Sequence, residues 1–355
     1  MLMSRRTLVK SAAAIGVSQA SGSAFSQPSS ETGRTIDVHA HYLPPVYRDC
    51  LQSAGLTTLD GGMPVPDWSE EKALETMDAV GISGALLSVS SPFLSFMPSN
   101  DEIRLCNEVN AVGAEIRARH PTRFGALAVL PLSDIAASVE TLEFALDTLE
   151  LDGVVLPTNV EGDYLGHERF VPLLSAMNER KVTAFVHPTS PCCFEAFNLG
   201  LPAPMLEFPF DSTRAVTDLI LSGRTTQFPE INFIVPHAGG TLPYLAMRIA
   251  GMGQLPVLGS KQTSMEVTLR ELGRMNYDLA LSSTPAQFQA LRQLAPMTNI
   301  LYGSDYPFTP APAVMMGEAG VRALPLTPEE AHQIRFGNAA RLFPGFAHQC
   351  CGQSH

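Results

Sequence analysis

Apolar runs of strand length alternate with longer stretches of helical periodicity along most of the chain. Eight apolar runs have the length of a buried strand, and helical patterns lie between them. The predicted strands are residues 35–39, 84–90, 124–131, 153–157, 182–187, 232–236, 277–281 and 299–303. The clearest predicted helices are residues 101–119, 135–149, 168–180, 212–227 and 286–294. This regular alternation predicts a single α/β domain, a (β/α)8 TIM barrel over residues 34–345.

Two long stretches do not fit the repeat of strand and helix. Residues 42–71 and 189–211 are both rich in proline, glycine and aromatic side chains. Loops of this length in a compact domain are often functional. They are therefore predicted to be flaps over an active site.

The composition narrows the class of partner. Hydrophobic residues make up 45% of the chain and charged residues 16%, which is typical of a globular protein with a large core. The formal net charge of -12 argues against binding to nucleic acid or to an anionic membrane surface. A small-molecule partner is expected.

The N-terminus has the pattern of an export signal. Arg5 and Arg6 precede a mildly apolar, alanine-rich stretch, and small residues suited to cleavage follow near Ala24 or Ser26. Residues 1–26 are therefore interpreted as a twin-arginine signal peptide. This predicts a periplasmic protein exported in the folded state, or a cytoplasmic one if the signal is not used.

The C-terminal residues 346–355 are predicted to form a frayed tail. The chain has six cysteines and no C-x-x-C pair, and a domain of this size does not need disulfides. A structural or incidental role is expected for the cysteines.

Side chains that bind metals stand where several predicted strands end. His39 and His41 are two residues apart and face the same side of a strand. His187 and His237 end the fifth and sixth strands, and Asp305 follows the eighth. In barrel enzymes the carboxyl ends of the strands form the active site, so these five residues are expected to meet there.

Three imidazoles and one carboxylate form a ligand set suited to a divalent cation. The predicted ligands are His39, His41, His187 and Asp305, with Zn²⁺ favoured and Mn²⁺, Co²⁺ or Fe²⁺ possible. His237 would stand beside the cation as an acid or base. The fourth strand ends without a lysine or glutamate to bridge a second ion, so one metal ion is predicted.

The ordered motifs H-x-H, V-H-P, P-H-A-G-G and G-S-D-Y-P resemble the amidohydrolase superfamily. The likeness covers almost the whole chain after the signal. It is greatest to the branch that contains aminocarboxymuconate-semialdehyde, γ-resorcylate and 6-methylsalicylate decarboxylases. The resemblance implies the same four metal ligands and assigns the acid and base role to His237.

The resemblance also bears on the substrate. Arg248 lies eleven residues after His237, where a branch member has an arginine that holds a substrate carboxylate in the neighbouring subunit's site. This implies a homodimer. A second carboxylate-binding arginine, expected just before Trp68, is missing, which favours a monocarboxylate. Arg214 is a further candidate for substrate binding, as is Trp68, although the pattern around Arg214 favours a place on a helix surface.

The expected function is nonoxidative decarboxylation of a hydroxybenzoate-like acid, with His237 or Asp305 as the proton donor. The first alternative is a metal-dependent hydrolase of an ester, lactone or amide, because one fold hosts both chemistries. The second is a periplasmic binding protein that has kept the barrel without catalysis.

Overall fold

The computed structural model describes residues 33–351 of the 355-residue chain. The predicted signal peptide over residues 1–26 lies outside the described residues, so it and the periplasmic location stay predictions. Within residues 33–351, no helix is both long and apolar enough to cross a membrane.

The centre of the fold is one parallel sheet of eight strands that follow each other in chain order. The strands are β1 (Ile36–His41), β2 (Gly84–Ser88), β3 (Phe124–Ala128), β4 (Gly153–Pro157), β5 (Thr183–His187), β6 (Asn232–Val235), β7 (Asn276–Asp278) and β8 (Ile300–Leu301). The Val38 N–H donates to the Tyr302 carbonyl at 3.1 Å and the Asp305 N–H to the His39 carbonyl at 2.7 Å. These bonds join the β8 segment to β1, so the fold is the predicted (β/α)8 barrel.

Helices surround this sheet and connect its strands. They are α1 (Pro45–Ser53), α2 (Glu70–Val80), α3 (Ser99–Arg119), α4 (Ile135–Glu143), α5 (Val171–Glu179), α6 (Ala203–Leu221), α7 (Arg224–Gln227), α8 (Leu242–Met252), α9 (Met265–Arg274), α10 (Pro285–Leu294), α11 (Ala311–Arg322), α12 (Pro328–His332), α13 (Asn338–Leu342) and α14 (Pro344–Cys350). Several begin at a side chain that caps the helix. Ser69 accepts the Lys72 N–H before α2, and Thr284 and Gln287 form a reciprocal capping box at α10.

Strand burial follows from this layered arrangement. Every residue of β1 to β5 is buried, because one side of each strand faces the barrel interior and the other faces the helices. On β1, Ala40 lies beside Ala73 and Met77 of α2. His39 and His41 face the opposite way, into the barrel.

The two predicted flaps contain more helix than expected. Residues 42–71 include α1 and a short 3₁₀ turn, Asp60–Gly62. In the second stretch α6 begins at Ala203 rather than at residue 212, and Pro209 lies inside the helix. Proline disfavours a helix interior, so the sequence pattern placed the start of this helix too late.

The chain continues as a helix after residue 345, where the barrel domain was predicted to end. Helix α14 runs from Pro344 to Cys350, and Phe346 is fully buried in the main hydrophobic core. Burial of this aromatic ring stabilises the last helix against the barrel, in place of the predicted frayed tail. All six cysteines are unpaired.

Candidate metal centre

The carboxyl ends of the strands bring the predicted ligands together. His39 and His41 end β1, His187 ends β5, and Asp305 follows β8. One ligand atom from each of these four residues lies within 4.8 Å of all the others. They are the only such group among residues 33–351, and the three histidines are buried. The geometry fits a single shared cation.

The Nδ1 atom of each of the three imidazoles is held by a partner behind the site. The partners are the Asp278 carboxylate for His39 at 3.0 Å, the Ser88 carbonyl for His41 at 3.2 Å and the Pro188 carbonyl for His187 at 2.9 Å. A carbonyl only accepts, so Nδ1 facing a carbonyl carries the proton and Nε2 is left as a lone-pair donor. Such partners fix the ring orientation of a metal ligand.

Three polar atoms that face the centre are buried without a hydrogen bond. They are Nε2 of His39, Nε2 of His41 and Oδ1 of Asp305. Asp305 Oδ1 lies 3.3 Å from the first and 3.2 Å from the second. Two ligands about 2.1 Å from one tetrahedral cation lie about 3.4 Å from each other. The unsatisfied atoms therefore have the spacing of ligands on a common ion, and the residues fit a divalent metal.

The charges around the centre favour a bound cation. Burial alone would lower the pKa of His39, but the carboxylates of Asp278 and Asp305 outweigh it and raise that pKa to about 10. Burial lowers the pKa of His41 and, with the neighbouring imidazoles, holds the pKa of His187 well below its usual value. The low pKa values favour neutral imidazoles at His41 and His187. His39 lies between two carboxylates, where a bound cation can replace its proton.

Asp278 is a functional residue that the sequence prediction missed. Its carboxylate is fully buried and contacts His39 through Oδ2, while Oδ1 accepts the backbone N–H of His237 at 3.1 Å. The strand pattern had placed Asp278 inside a strand ending at residue 281. Because β7 ends at Asp278 itself, the carboxylate stands at the same rim as the other strand-end residues.

Asp37 links β1 to the segment after β8, and Gly303 allows that segment to approach the site closely. Asp37 accepts the N–H of His39 and the N–H of Ser304, both at 3.0 Å. Burial raises the pKa of Asp37 to about 7. A Cβ on Gly303 would lie 2.9 Å from the His39 Cβ and 3.0 Å from the Asp278 Cγ, so only glycine allows this close approach.

His237 lies beside the cluster. Its Nε2 is 3.7 Å from Asp305 Oδ2, and both residues have left-handed backbones, with φ of 55° and 60°. Such strained conformations of non-glycine residues are common at functional sites. Both residues line a cavity of about 140 Å³. The other lining residues are Leu59, Asp60, Met63, Ser90, Ser91, His187, Pro204, Phe208, Leu281 and Phe308.

The three residues predicted to bind substrate lie outside this cavity lining in the single chain. Trp68 is only 4% exposed and packs edge-on against Tyr42 in the core, so it does not form a flap over the site. Arg214 is partly exposed and lies 3.7 Å from the buried Asp211. Arg248 is exposed on α8.

Comparison with known proteins identifies the family of the chain. The amidohydrolase family model matches residues 36–345. A 6-methylsalicylic acid decarboxylase from Penicillium expansum is 35% identical over 314 residues, which covers 87% of this chain and 96% of the relative. A solved amidohydrolase II structure has a TM-score of 0.82 at 30% identity and covers 87% of this chain and 99% of its own.

A further solved structure shares the fold. It is a 5-carboxyvanillate decarboxylase from Novosphingobium aromaticivorans, complexed with manganese, with a TM-score of 0.78 at 18% identity. The alignment covers 88% of this chain and 97% of that one. This agrees with the resemblance that the four sequence motifs indicated. The match to the family model and the 35% identity to a relative show that the chain belongs to the amidohydrolase family.

Proposed function

We propose that this protein is a metal-dependent, nonoxidative decarboxylase of a small, hydroxybenzoate-like aromatic acid. The observation that carries the proposal is the convergence of three imidazoles and one carboxylate beside a small, mainly apolar cavity that His187, His237 and Asp305 line. The 35% identity to a 6-methylsalicylic acid decarboxylase supports the same class of reaction and substrate.

The cation would be held by His39, His41, His187 and Asp305. We favour Zn²⁺, because a set of three nitrogens and one oxygen suits it, although Mn²⁺, Co²⁺ and Fe²⁺ accept the same ligands. Manganese is the ion complexed with the 5-carboxyvanillate decarboxylase. When bound, the cation offsets the charge of the substrate carboxylate and its ortho hydroxyl and so positions the ring.

His237 is placed to deliver a proton. It lines the cavity, and its Nε2 lies near Asp305 Oδ2. Transfer of a proton from the imidazole to the ring carbon that bears the carboxylate forms a C–H bond. The bond to the carboxylate then breaks, CO₂ leaves, and the electron pair of that bond returns to the ring. Asp305 is the other candidate donor, but its role as a metal ligand makes His237 the better one.

The walls of the cavity determine what can enter. Phe208, Phe308, Leu281 and Met63 provide apolar surface around the polar cluster. A water-poor site strengthens electrostatic interactions with the substrate and limits competing reactions with water. The volume of about 140 Å³ is below the range typical of drug-sized ligands, which favours a single aromatic ring.

The same cluster would also suit a hydrolase of an ester, lactone or amide, and a binding protein would leave its ligand unchanged. Turnover of salicylate-type acids, and of the corresponding esters, lactones and amides, in heavy-oxygen water and in deuterated water distinguishes the three. From the acids we expect release of CO₂ and one solvent deuterium on the product carbon, with no heavy oxygen in the aromatic product. Heavy oxygen in the acid released from an ester, lactone or amide, with no CO₂ from the acids, would indicate hydrolysis, and unchanged ligands under all metal conditions would indicate binding alone.

We also propose that the protein is a homodimer through the face around α8. Arg248 lies there among exposed apolar side chains, including Tyr244, Met247 and Val257. Exposed apolar patches of this kind commonly mark protein interfaces. Sedimentation of the wild-type protein should give twice the chain mass, and Met247→Glu should shift it towards the monomer. A wild-type monomer at micromolar concentration would contradict the proposal.

A further inference from the structure

The cavity at the metal centre adjoins a second, larger one. The outer cavity has a volume of about 370 Å³ and is formed largely by residues that follow β2, β3 and β4. Asp60 and Ser91 line both cavities, so they form the boundary between them. A ring that fills the cavity at the metal centre contacts this boundary, because Asp60 and Ser91 line that cavity.

The walls of the two cavities carry more acidic than basic side chains. Asp60, Glu102 and Glu161 line the outer cavity, and no lysine or arginine of the described chain lines either one. The only basic side chains on the walls are the histidines of the metal centre, His187 and His237. Within one chain, a second anionic group on the substrate would meet like charge and find no cation beyond the metal.

The Asp60 carboxylate is held in place at this boundary. Its Oδ2 accepts hydrogen bonds from the Ser91 hydroxyl at 2.5 Å and from the Ser190 N–H at 2.7 Å. These donors lie on the loops after β2 and β5, so two parts of the barrel fix the carboxylate. The next residue, Gly61, has φ of 68°, and a Cβ there would lie 2.5 Å from the Ala203 Cβ. The turn therefore packs tightly against α6.

The second oxygen of Asp60 is available to a ligand. No described residue donates a hydrogen bond to Oδ1, although the side chain lines both cavities. A carboxylate only accepts hydrogen bonds, so a fixed, half-satisfied one selects a ligand group that donates. Hydrogen bonds to ionised groups are stronger than neutral ones, so the preference should be large.

On the basis of the proposed function, we propose that Asp60 determines substrate specificity. It accepts a hydrogen bond from a hydroxyl or amino group on the ring edge away from the metal-bound carboxylate, and it excludes a second carboxylate from that position. The substrate class is thus narrowed to aromatic monocarboxylic acids with a hydrogen-bond donor on the far edge of the ring.

Binding of matched ligand pairs to the metal-loaded full-length protein tests this assignment. The ligands are salicylate and its derivatives with either a hydroxyl or a carboxylate para to the carboxyl group, and the same pair in the meta position. Calorimetry should show at least one hydroxyl derivative binding about 10- to 100-fold more tightly than its carboxylate counterpart. A wild-type preference for the dicarboxylates would overturn the proposal without any variant.

Variants of Asp60 test whether its carboxylate causes the preference for the hydroxyl derivatives. Asp60→Asn should reduce the ratio of the two affinities about tenfold or more. Asp60→Glu, which keeps the charge, should still reject the dicarboxylate. Asp67→Asn is the matched control, because it removes the same charge from a side chain that is 78% exposed on the same stretch. An unchanged ratio in folded Asp60→Asn would overturn the assignment.

The specificity assignment of Asp60 and the proposed decarboxylation can fail independently of each other. If no acid releases CO₂ but the preference is present and depends on Asp60, the decarboxylase proposal fails and the specificity assignment stands. If CO₂ is released and Asp60→Asn keeps the wild-type preference, only the specificity assignment fails.

Discussion

Replacing His187 with alanine is expected to remove the bound cation and to lower kcat/KM about a thousandfold or more. The His187 Nε2 is one of four ligand atoms within 4.8 Å of one another, and its ring is fixed from behind by the Pro188 carbonyl. Three ligands hold a cation less tightly than four, and the charge that a cation offsets is worth several kcal/mol in the transition state. Elemental analysis after dialysis and kinetics on the same sample measure both effects.

A second histidine variant serves as the control for this experiment. His120 lies outside the cluster, with its side chain 32% exposed and 3.2 Å from Glu70. His120→Ala should retain one metal ion per chain and wild-type turnover. Thermal unfolding of both variants checks that the barrel is intact. Full metal content and activity in His187→Ala would mean that this residue is not a ligand.

Replacing His237 with asparagine is expected to separate metal binding from catalysis. The loss of a positioned acid should lower kcat about 100- to 10,000-fold. The backbone N–H to Asp278 remains in the variant, and asparagine tolerates the left-handed conformation at this position better than most residues. The fold and the metal content should therefore stay as in the wild type. Metal analysis and single-turnover kinetics measure the two properties separately.

The contrast between the two variants is the informative result. The His187 variant should lose metal and activity together, whereas the His237 variant should lose activity alone. If His237→Asn releases CO₂ at the wild-type rate, the proton comes from another group, and Asp305 becomes the first candidate. Loss of metal in His237→Asn would instead place His237 among the residues that hold the centre.

The barrel and the ligand cluster could be predicted from sequence because both depend on a regular repeat. Eight buried strands produce eight apolar runs, and the strand ends then lie on one rim. The pattern located His39, His41 and His187 at strand ends, and the structure has them there. Local alternation of side chains was sufficient to predict that the first two face the same way.

Strand ends were harder to predict, and one functional residue was missed as a result. The third and seventh strands were predicted to continue to residues 131 and 281, but they end at Ala128 and Asp278. Buried apolar side chains such as Leu130 and Leu279 follow the last residues that pair with a neighbouring strand. Hydrophobicity therefore does not mark where a strand ends. Asp278 therefore appeared to lie within a strand rather than at the rim.

The placement of the residues predicted or proposed to bind substrate depends on tertiary packing that the sequence does not show. Trp68 lies in the core, where its ring packs edge-on against Tyr42 and it shares a small cavity with residues of β1, β2 and α2. Asp60 stands at the cavity boundary only because Ser91 and Ser190, both distant in sequence, converge on it. Neither contact has a local sequence signature. Arg248 is exposed in the single chain, so its predicted role depends on a second subunit.

Anomalous diffraction from crystals of the metal-loaded protein tests the central claim most directly. A single peak per chain is expected about 2.0–2.3 Å from Nε2 of His39, His41 and His187 and from a carboxylate oxygen of Asp305. The Nδ1 contacts behind these rings should be unchanged. A peak elsewhere, or a fully loaded protein with no peak between these four side chains, would contradict the account.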